Sequence, residues 1–304
     1  IGLINNKLAE LKTTIINMFP SNPIQSMAQG SILQVIVFSL LMGFAISKSG
    51  ETGQRVGGVF SALNEVIMKM VMILMNLAPY GIFCLLAKLF AGLGIGVILS
   101  LAKYFFTVVF VLLLHSFGVY SLIFKTVTGL SVRRFLSKMR PALMFAFSTA
   151  SSGATMPVTL RTVEHRMGVN NSVASFTVPL GATINMDGTA IMQGVATVFI
   201  AQAYNIGLGM DDYLTVVLTA TLASIGTAAV PGVGLVMLVM VLNQVGLPVE
   251  GIGLIIGVDR LLDMMRTATN VTGDAMVTSV VAKTEGYMDT DIFNDPEAGV
   301  IRQV

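Results

Sequence analysis

Charged and polar side chains that could bind ions or a charged ligand cluster in one apolar part of the chain, the segment DRLLDMMRTATNVTGD at 259–274. On a helix, which turns about 100° per residue, five of them fall within an arc of about 80°: Asp259, Asp263, Arg266, Asn270 and Asp274. Leucine, methionine and valine occupy the other faces, so the pattern predicts an apolar helix with one polar stripe. Three carboxylates against one arginine leave surplus negative charge. A proton, a metal cation or a ligand ammonium group is expected to neutralise it, while a purely structural aspartate–arginine pair is the simpler alternative.

The composition indicates that this helix lies in a membrane. Of the 304 residues, 54% are hydrophobic and 11% are charged, and the mean hydropathy is +0.82. Soluble domains carry about 25% charged residues. The apolar runs are long and continuous, which favours membrane-spanning helices over a β-barrel. The net charge of +2 is too small to indicate a nucleic-acid partner, and the single cysteine, Cys84, excludes an intramolecular disulfide and a cysteine-based metal site.

The first part of the chain contains three plain candidate spans. They lie at Ser31–Ile46, at Val66–Phe90 with a kink expected at Pro79, and at Leu101–Phe124. The next loop, SVRRFLSKMR, carries four basic residues and no acidic one, so the positive-inside rule predicts that it is cytoplasmic.

The second half departs from simple spans. Two uncharged stretches, 141–160 and 213–249, have centres rich in Ser, Thr, Gly, Ala and Pro, namely STASSGAT and SIGTAAVPGVG. Such centres interrupt helices, so each stretch predicts a re-entrant helical hairpin. Between them, the apolar run FTVPLGATINMDGTAIMQGVATVFIAQ is interrupted by NMDGT, which predicts a broken helix. Interrupted apolar segments in corresponding positions indicate a secondary-transporter site built from inverted repeats.

Several long motifs of this second half resemble the dicarboxylate/amino acid:cation symporter family, the family of the glutamate transporter homologues. They are GATINMDGTA, ASIGTA with the following VPG, DRLLDMMRT with NVTGD, and VAKTEG. The resemblance extends from FPSNP to KTEG, nearly the whole chain. It implies a homotrimer in the cell (inner) membrane, in which each protomer combines a scaffold domain with a transport domain that moves like an elevator.

The resemblance also implies a division of this chain. Residues 1–95 are expected to form part of the scaffold, or trimerisation, domain, and 96–286 the transport domain. Four segments of the transport domain are expected: hairpin 1 at about 141–165, the broken helix at about 173–204, hairpin 2 at about 213–245 and the last helix at about 252–283. A polar and exposed tail is expected at 287–304. The family's first three helices have no counterpart in this sequence.

Carried over position by position, the resemblance implies a substrate site for an amino acid. Its expected residues are Ser152, Thr189, Asp263, Arg266, Thr267 and Asn270. Asp263 would bind the ammonium group, and Arg266, with its planar fork of donors, would bind the side-chain carboxylate. The tip of hairpin 2 would act as a gate, at Gly226, Ala229, Val230, Pro231, Gly232 and Gly234.

The resemblance further implies sodium as the coupling ion, bound by the oxygen ligands that hard cations prefer, and no organic cofactor. The first sodium site would use backbone oxygens of Gly181, Asn185 and Asn270 with the Asp274 carboxylate. The second would use backbone oxygens of Thr183, Ser224, Ile225 and Thr227. The third would use the side chains of Asn185 and Asp187 with groups on the absent third helix, and Met186 would lie between the ions.

The sequence departs from the family pattern at several positions. The family places an arginine at the first hairpin tip or just after the binding aspartate, where this chain has Ala150 and Met264. Arg260 is an additional basic residue, which we expect to pair with an acid. His115 lies in mid-span, where we expect a packing role rather than a functional one.

Two other function classes fit the residues less well. An intramembrane aspartyl protease needs two aspartates that share a proton, but its Tyr-Asp and Gly-x-Gly-Asp signatures are absent and an arginine opposes such sharing. An ion channel would not need two gated tips around a midplane site. The residues therefore predict a transporter rather than an enzyme.

Within the family, the presence of both Asp263 and Arg266 implies an acidic amino acid as substrate. Aspartate and glutamate differ by one methylene, and the sequence does not separate them. Proton-coupled transport of glutamate or aspartate, and C4-dicarboxylate transport, remain alternatives to sodium-coupled symport, because a buried carboxylate such as Asp274 can titrate instead of binding a metal ion.

Overall fold

The computed structural model describes residues 19–29, 32–75, 80, 83–84, 95–225, 229 and 231–299. These residues are mainly helical, and their one pairing of extended backbone is an isolated bridge between Val169 and Met288. The chain divides into two compact units, Ile1–Phe83 and Cys84–Val304.

The first unit contains three described helices, α1 (Pro23–Gln29), α2 (Ile32–Lys48) and α3 (Gly50–Met75). A hydrogen bond of 2.7 Å from the Ser26 hydroxyl to Gln34 joins α1 to α2. Helix α3 starts well before the span expected at Val66, since its polar first turns are helical too. Glu51 in the first turn complements the positive end of the helix dipole.

The first long helix described in the second unit is apolar and has three parts: α4 (Ile95–Leu113), a π-helical turn (Leu114–Val119) and α5 (Tyr120–Thr128). By length and composition, Leu99–Thr128 can cross a membrane. Gly129 ends the helix in the left-handed conformation, at φ 70°.

Two helices, α6 (Val132–Thr149) and α7 (Ser152–Arg161), form the first helix pair, and a π-helical turn follows at Thr162–Arg166. The basic stretch expected as a loop is helical, because the Ser131 side chain caps α6 and the helix continues through Pro141. At the tip, Ala150 has φ 50°. Ser151 caps α7 by accepting a hydrogen bond of 3.1 Å from the Ala154 N–H.

The next helices are α8 (Asn171–Ile184) and α9 (Asp187–Ala203), and Asn185 and Met186 between them have non-helical backbone angles. The second helix pair is α10 (Met210–Ile225) and α11 (Val233–Gln244). Gly232, with φ 79°, directly precedes α11. A 3₁₀ turn at Val249–Gly251 leads into α12 (Ile252–Thr284).

Helix α12 is the centre of the second unit. It contacts α4, α5, α6, α8 and α9, and it is buried along most of its length. A short helix, α13 (Thr290–Asn294), follows it and buries Phe293 completely in a cluster with Phe124 and Phe135. Most of the described residues of the tail expected at 287–304 are exposed, and Phe293 is the buried side chain that anchors this segment.

Candidate functional site

The polar stripe of α12 is buried in the second unit. The exposed fractions of Asp259, Asp263, Arg266, Asn270 and Asp274 lie between 1% and 8%. Ionised groups are costly to bury unless they are paired or bonded, so the partners of each group determine what the stripe can bind.

The Arg266 guanidinium lies between two carboxylates. Its Nη1 is 2.6 Å from Asp259 Oδ1, and its Nη2 is 2.8 Å from Asp263 Oδ1. Both contacts run along one helix face, as positions three and seven residues apart allow. The Nε of Arg266 is buried and has no hydrogen-bond partner. The three side chains carry a net negative charge, with the arginine at the centre.

Two helix-pair tips meet above this cluster. The Gly232 N–H donates to Asp263 Oδ2 over 2.9 Å. The carbonyl oxygen of Ala229 accepts from the Ser151 hydroxyl at 2.8 Å and from the Gly153 N–H at 3.2 Å. A side chain on Gly153 would press against Ala229, since its Cβ would lie 3.2 Å from that carbonyl oxygen. Asp263 is thus held by the arginine on one side and by the tip of the α10–α11 pair on the other.

A small cavity of about 20 Å³ lies beneath the tips. Its lining consists of Ala150, Ser152, Met186, Thr189, Ala229, Gly234, Asp263, Arg266, Thr267 and Asn270. The six residues that the sequence assigns to a substrate site therefore line one cavity. Its volume is enough for about one water molecule. An amino acid would need the tips to move apart.

A second polar cluster lies where α8 ends. The Asn185 side-chain N–H₂ donates to Asp274 Oδ1 at 2.9 Å and to the Asn270 carbonyl oxygen at 3.1 Å. Gly181 packs directly against this carboxylate, because a Cβ there would lie 2.6 Å from Asp274 Oδ1. These four residues are those that the sequence assigns to the first sodium site. The Asn185 amide therefore donates to two oxygens, one of Asp274 and one of Asn270, that would bind the cation in the predicted sodium site.

Comparison with known proteins identifies the family. Residues 4–284 match the model of the sodium:dicarboxylate symporter family. The chain belongs to this family. It is 41% identical to human excitatory amino acid transporter 1 over 285 residues, which cover 92% of this chain and 53% of that protein. The human excitatory amino acid transporter 3 is 44% identical over 254 residues, 83% of this chain and 48% of that protein.

A bacterial relative is covered more completely. The proton/sodium-glutamate symport protein of Bacillus subtilis is 34% identical over 297 residues, 98% of this chain and 67% of that protein. The chain spans about half the length of the two human relatives. The resemblance stated from the motifs is thereby confirmed at the level of the family.

Asn270 links the two clusters of this symporter-family chain. Its Oδ1 accepts from the Gly188 N–H at 2.8 Å, and its Nδ2 lies 3.2 Å from the Met186 sulfur. Gly188 allows this approach, because a Cβ there would lie 2.9 Å from the Arg266 carbonyl oxygen. The break between α8 and α9 is therefore tied to α12 beside both the arginine and Asp274.

Asp187 has partners that sequence reasoning missed. Its Oδ2 lies 3.1 Å from His115 Nε2 and accepts from the Tyr120 hydroxyl at 2.8 Å. The π-helical turn carries His115, so the histidine expected to have a packing role contacts a predicted ion-site residue. A Cβ on Gly273 would overlap Asn185 Nδ2 and would lie 2.5 Å from the Tyr120 hydroxyl oxygen. The position of His115 in mid-span was the one sequence signal for this contact. The sequence did not identify its partner, because Asp187 lies on another helix.

The remaining predicted residues are less fully described. Gly226, Thr227 and Val230 lie outside the described residues, so the second sodium site and the gate are described in part. Thr183 and Ser224 bond within their own helices through their hydroxyl groups, and Ile225 ends α10. Pro231 is half-buried at the tip, and Gly234 packs beside Arg266. Within the described ranges, no cluster of three or more His, Cys, Asp or Glu could hold a metal ion.

The structure does not show the pairing with an acid that was expected for Arg260. None of the described carboxylates pairs with it, and its Nη1 is buried without a hydrogen-bond partner. Asp259, its neighbour in sequence, is already engaged by Arg266.

Proposed function

We propose that this chain belongs to a secondary active transporter that carries an acidic amino acid, aspartate or glutamate, together with sodium ions. The observation that carries the proposal is the completely buried Arg266 guanidinium, which lines a cavity with the carboxylate of Asp263. An arginine suits a substrate carboxylate and an aspartate suits an ammonium group. The names of the human and Bacillus relatives, an excitatory amino acid transporter and a glutamate symport protein, agree with such a substrate.

In this proposal the substrate takes over bonds that already exist. Its ammonium group replaces Arg266 and the Gly232 N–H at Asp263, and its side-chain carboxylate binds the released guanidinium. Ser152 lies at the start of α7, where free N–H groups favour the substrate's α-carboxylate. Thr189, Thr267 and Asn270 line the rest of the cavity and offer short polar contacts.

Sodium ions would bind beside the substrate. A cation at Asp274 would use the Asn270 carbonyl oxygen and backbone oxygens of Gly181 and Asn185, after the Asn185 amide turns away. Met186 and Asp187 border the neighbouring ion positions, and Thr183, Ser224, Ile225 and Thr227 contribute backbone oxygens to another. Because Asn270 serves both ligands, binding of sodium and binding of substrate are coupled.

Alternating access would follow from movement of the tips. We propose that α6–α7 and α10–α11 are re-entrant hairpins, and that the tip from Gly226 to Gly234 opens as the gate. The small volume of the cavity, about 20 Å³, supports this, since an acidic amino acid does not fit. The proposed unit is a homotrimer in the cell membrane, with 1–95 in the scaffold and 96–286 in an elevator-like transport domain.

A protease role is not supported. Asp259 and Asp263 each bond to Arg266, and none of the described contacts joins one carboxylate to the other, as a shared proton would require. We therefore propose no catalytic residue.

Uptake into proteoliposomes tests the proposal. The full protein is reconstituted, and labelled aspartate, glutamate and succinate are supplied with sodium, proton and potassium gradients imposed separately. We expect the uptake of aspartate or glutamate to require an inward sodium gradient. Neither serine nor succinate should inhibit it. Preference for succinate, or uptake without a sodium requirement, would refute the proposed substrate or coupling ion respectively.

Proton coupling is the second candidate. Asp274 is buried, receives one amide hydrogen bond and has no cationic side chain within ion-pair distance among the described residues. A buried carboxylate in that setting needs a cation or a proton. The same uptake assay separates the two, because proton coupling predicts uptake driven by a pH gradient in the absence of sodium.

A further inference from the structure

A second, larger pocket lies at the base of the α6–α7 pair, at the opposite end from the tip at Ala150 and Ser151. Its volume is about 530 Å³. Pro141, Pro157 and Val158 form apolar walls, Arg161 and Arg166 supply two guanidinium groups, and Gly299 lies at its edge. The pocket therefore joins both helices of the pair to the segment that follows α13, and it is separate from the residues proposed for substrate and sodium.

Arg166 is oriented for an additional ligand. Its Nη1 donates to the Lys138 carbonyl oxygen at 3.0 Å, which fixes the plane of the guanidinium. Its Nε is buried and lacks a hydrogen-bond partner. The Nη2 of Arg166 has no hydrogen bond among the described contacts and is not buried, so it is the nitrogen that an anion in the pocket would bind.

The positive charge around the pocket is not neutralised by acids. Within the described residues, carboxylates pair with His115 and Arg266, and neither Arg161 nor Arg166 has such a partner. Glu164 instead accepts from the Asn171 amide at 2.6 Å. The ammonium group of Lys138 donates to three backbone carbonyl oxygens, those of Arg166, Ile292 and Asp295, and it forms no ion pair with the Asp295 carboxylate nearby.

The position of the pocket indicates the source of the anion. The basic stretch from Arg133 to Arg140 is cytoplasmic by the positive-inside rule, and the pocket lies where α6 leaves this stretch at Pro141. Apolar walls beside two arginines suit a molecule with an anionic head and an apolar tail. We propose that this pocket binds the phosphate of an anionic phospholipid from the cytoplasmic leaflet. Arg161 and Arg166 hold the phosphate, and the prolines contact the glycerol and upper acyl chain.

Retention of lipid by the purified protein tests this proposal. The full protein is exchanged into detergent with phosphatidylglycerol or phosphatidylcholine, and bound lipid per chain is measured by native mass spectrometry. The variant Arg161→Gln removes an exposed guanidinium from the pocket, and Arg133→Gln removes an exposed arginine of the same basic stretch outside it. A parallel arm replaces the lipid with inorganic phosphate.

We expect one tightly retained phosphatidylglycerol per chain in the wild type and in Arg133→Gln. Arg161→Gln should weaken the retention of phosphatidylglycerol about tenfold, with an unchanged melting temperature. Arg161→Lys should weaken this retention less, because it keeps the positive charge. Equal retention in Arg161→Gln and Arg133→Gln would overturn the pocket, since it would indicate general attraction to the basic surface. Phosphate that displaces the lipid at equal concentration would overturn the lipid as the ligand, and equal retention of phosphatidylcholine would overturn the requirement for an anion.

Discussion

Replacement of Arg266 by threonine should change both substrate preference and stability. The arginine is 1% exposed and bonds Asp259 at 2.6 Å and Asp263 at 2.8 Å. Its loss leaves an acidic substrate with an unpaired carboxylate in a buried site, at a cost of about 3 kcal/mol. Aspartate affinity should therefore fall about 100-fold. A neutral amino acid such as serine makes no bond to the guanidinium, so its affinity should not fall, and the sodium requirement should persist.

The structure adds a cost that the sequence pattern does not reveal. Without Arg266, Asp259 has no ion-pair partner at bonding distance among the described side chains, so the empty protein should lose about 3 kcal/mol of folding free energy. Asp259→Asn in the Arg266→Thr background should recover most of this loss. It should not restore aspartate binding, because the substrate's partner is still absent.

Competition uptake with aspartate, glutamate and serine, combined with thermal unfolding, measures both effects. Arg260→Gln is the matched control, since that arginine pairs with none of the described carboxylates and should retain aspartate preference. Retained aspartate preference in Arg266→Thr would refute the carboxylate role. Equal melting temperatures of the single and double variants would refute the role of Asp259.

Three further predictions concern the ion site and the gate. Asp274→Asn should weaken sodium dependence and lower aspartate affinity with it, and normal sodium dependence would exclude Asp274 as a ligand. Gly273→Ala should raise the sodium concentration for half-maximal uptake about tenfold, because its Cβ would displace Asn185 and Tyr120. Gly194→Ala, where a Cβ meets no atom within 4 Å, is its control, and an equal effect of both alanines would remove the steric argument. Hydrogen exchange averaged over the tip from Ser224 to Gly234 should slow on addition of sodium and aspartate, and unchanged exchange would contradict the gate.

The general class of this protein was accessible from residue types alone. Composition indicated membrane helices, and the period of Asp259, Asp263, Arg266, Asn270 and Asp274 predicted one polar face on an apolar helix. Both signals are local, since hydropathy and helical period depend on neighbours within a few turns. The family motifs are similarly continuous in sequence, and the match over residues 4–284 confirms the family they indicated.

Tertiary structure decided which groups pair and which segments dock. His115 meets Asp187 across 72 positions of sequence, and Ser151 meets Ala229 across 78. No local period records such contacts. On α12, Arg266 pairs with both Asp259 and Asp263, a choice of partners that their shared polar face leaves open. The docking of Phe293 similarly depends on Phe124, whose ring centroid lies 6.1 Å from its own and which stacks on Phe135 where α5 packs against α6. Sequence determines which chemistry is available, and packing decides which partners each group reaches.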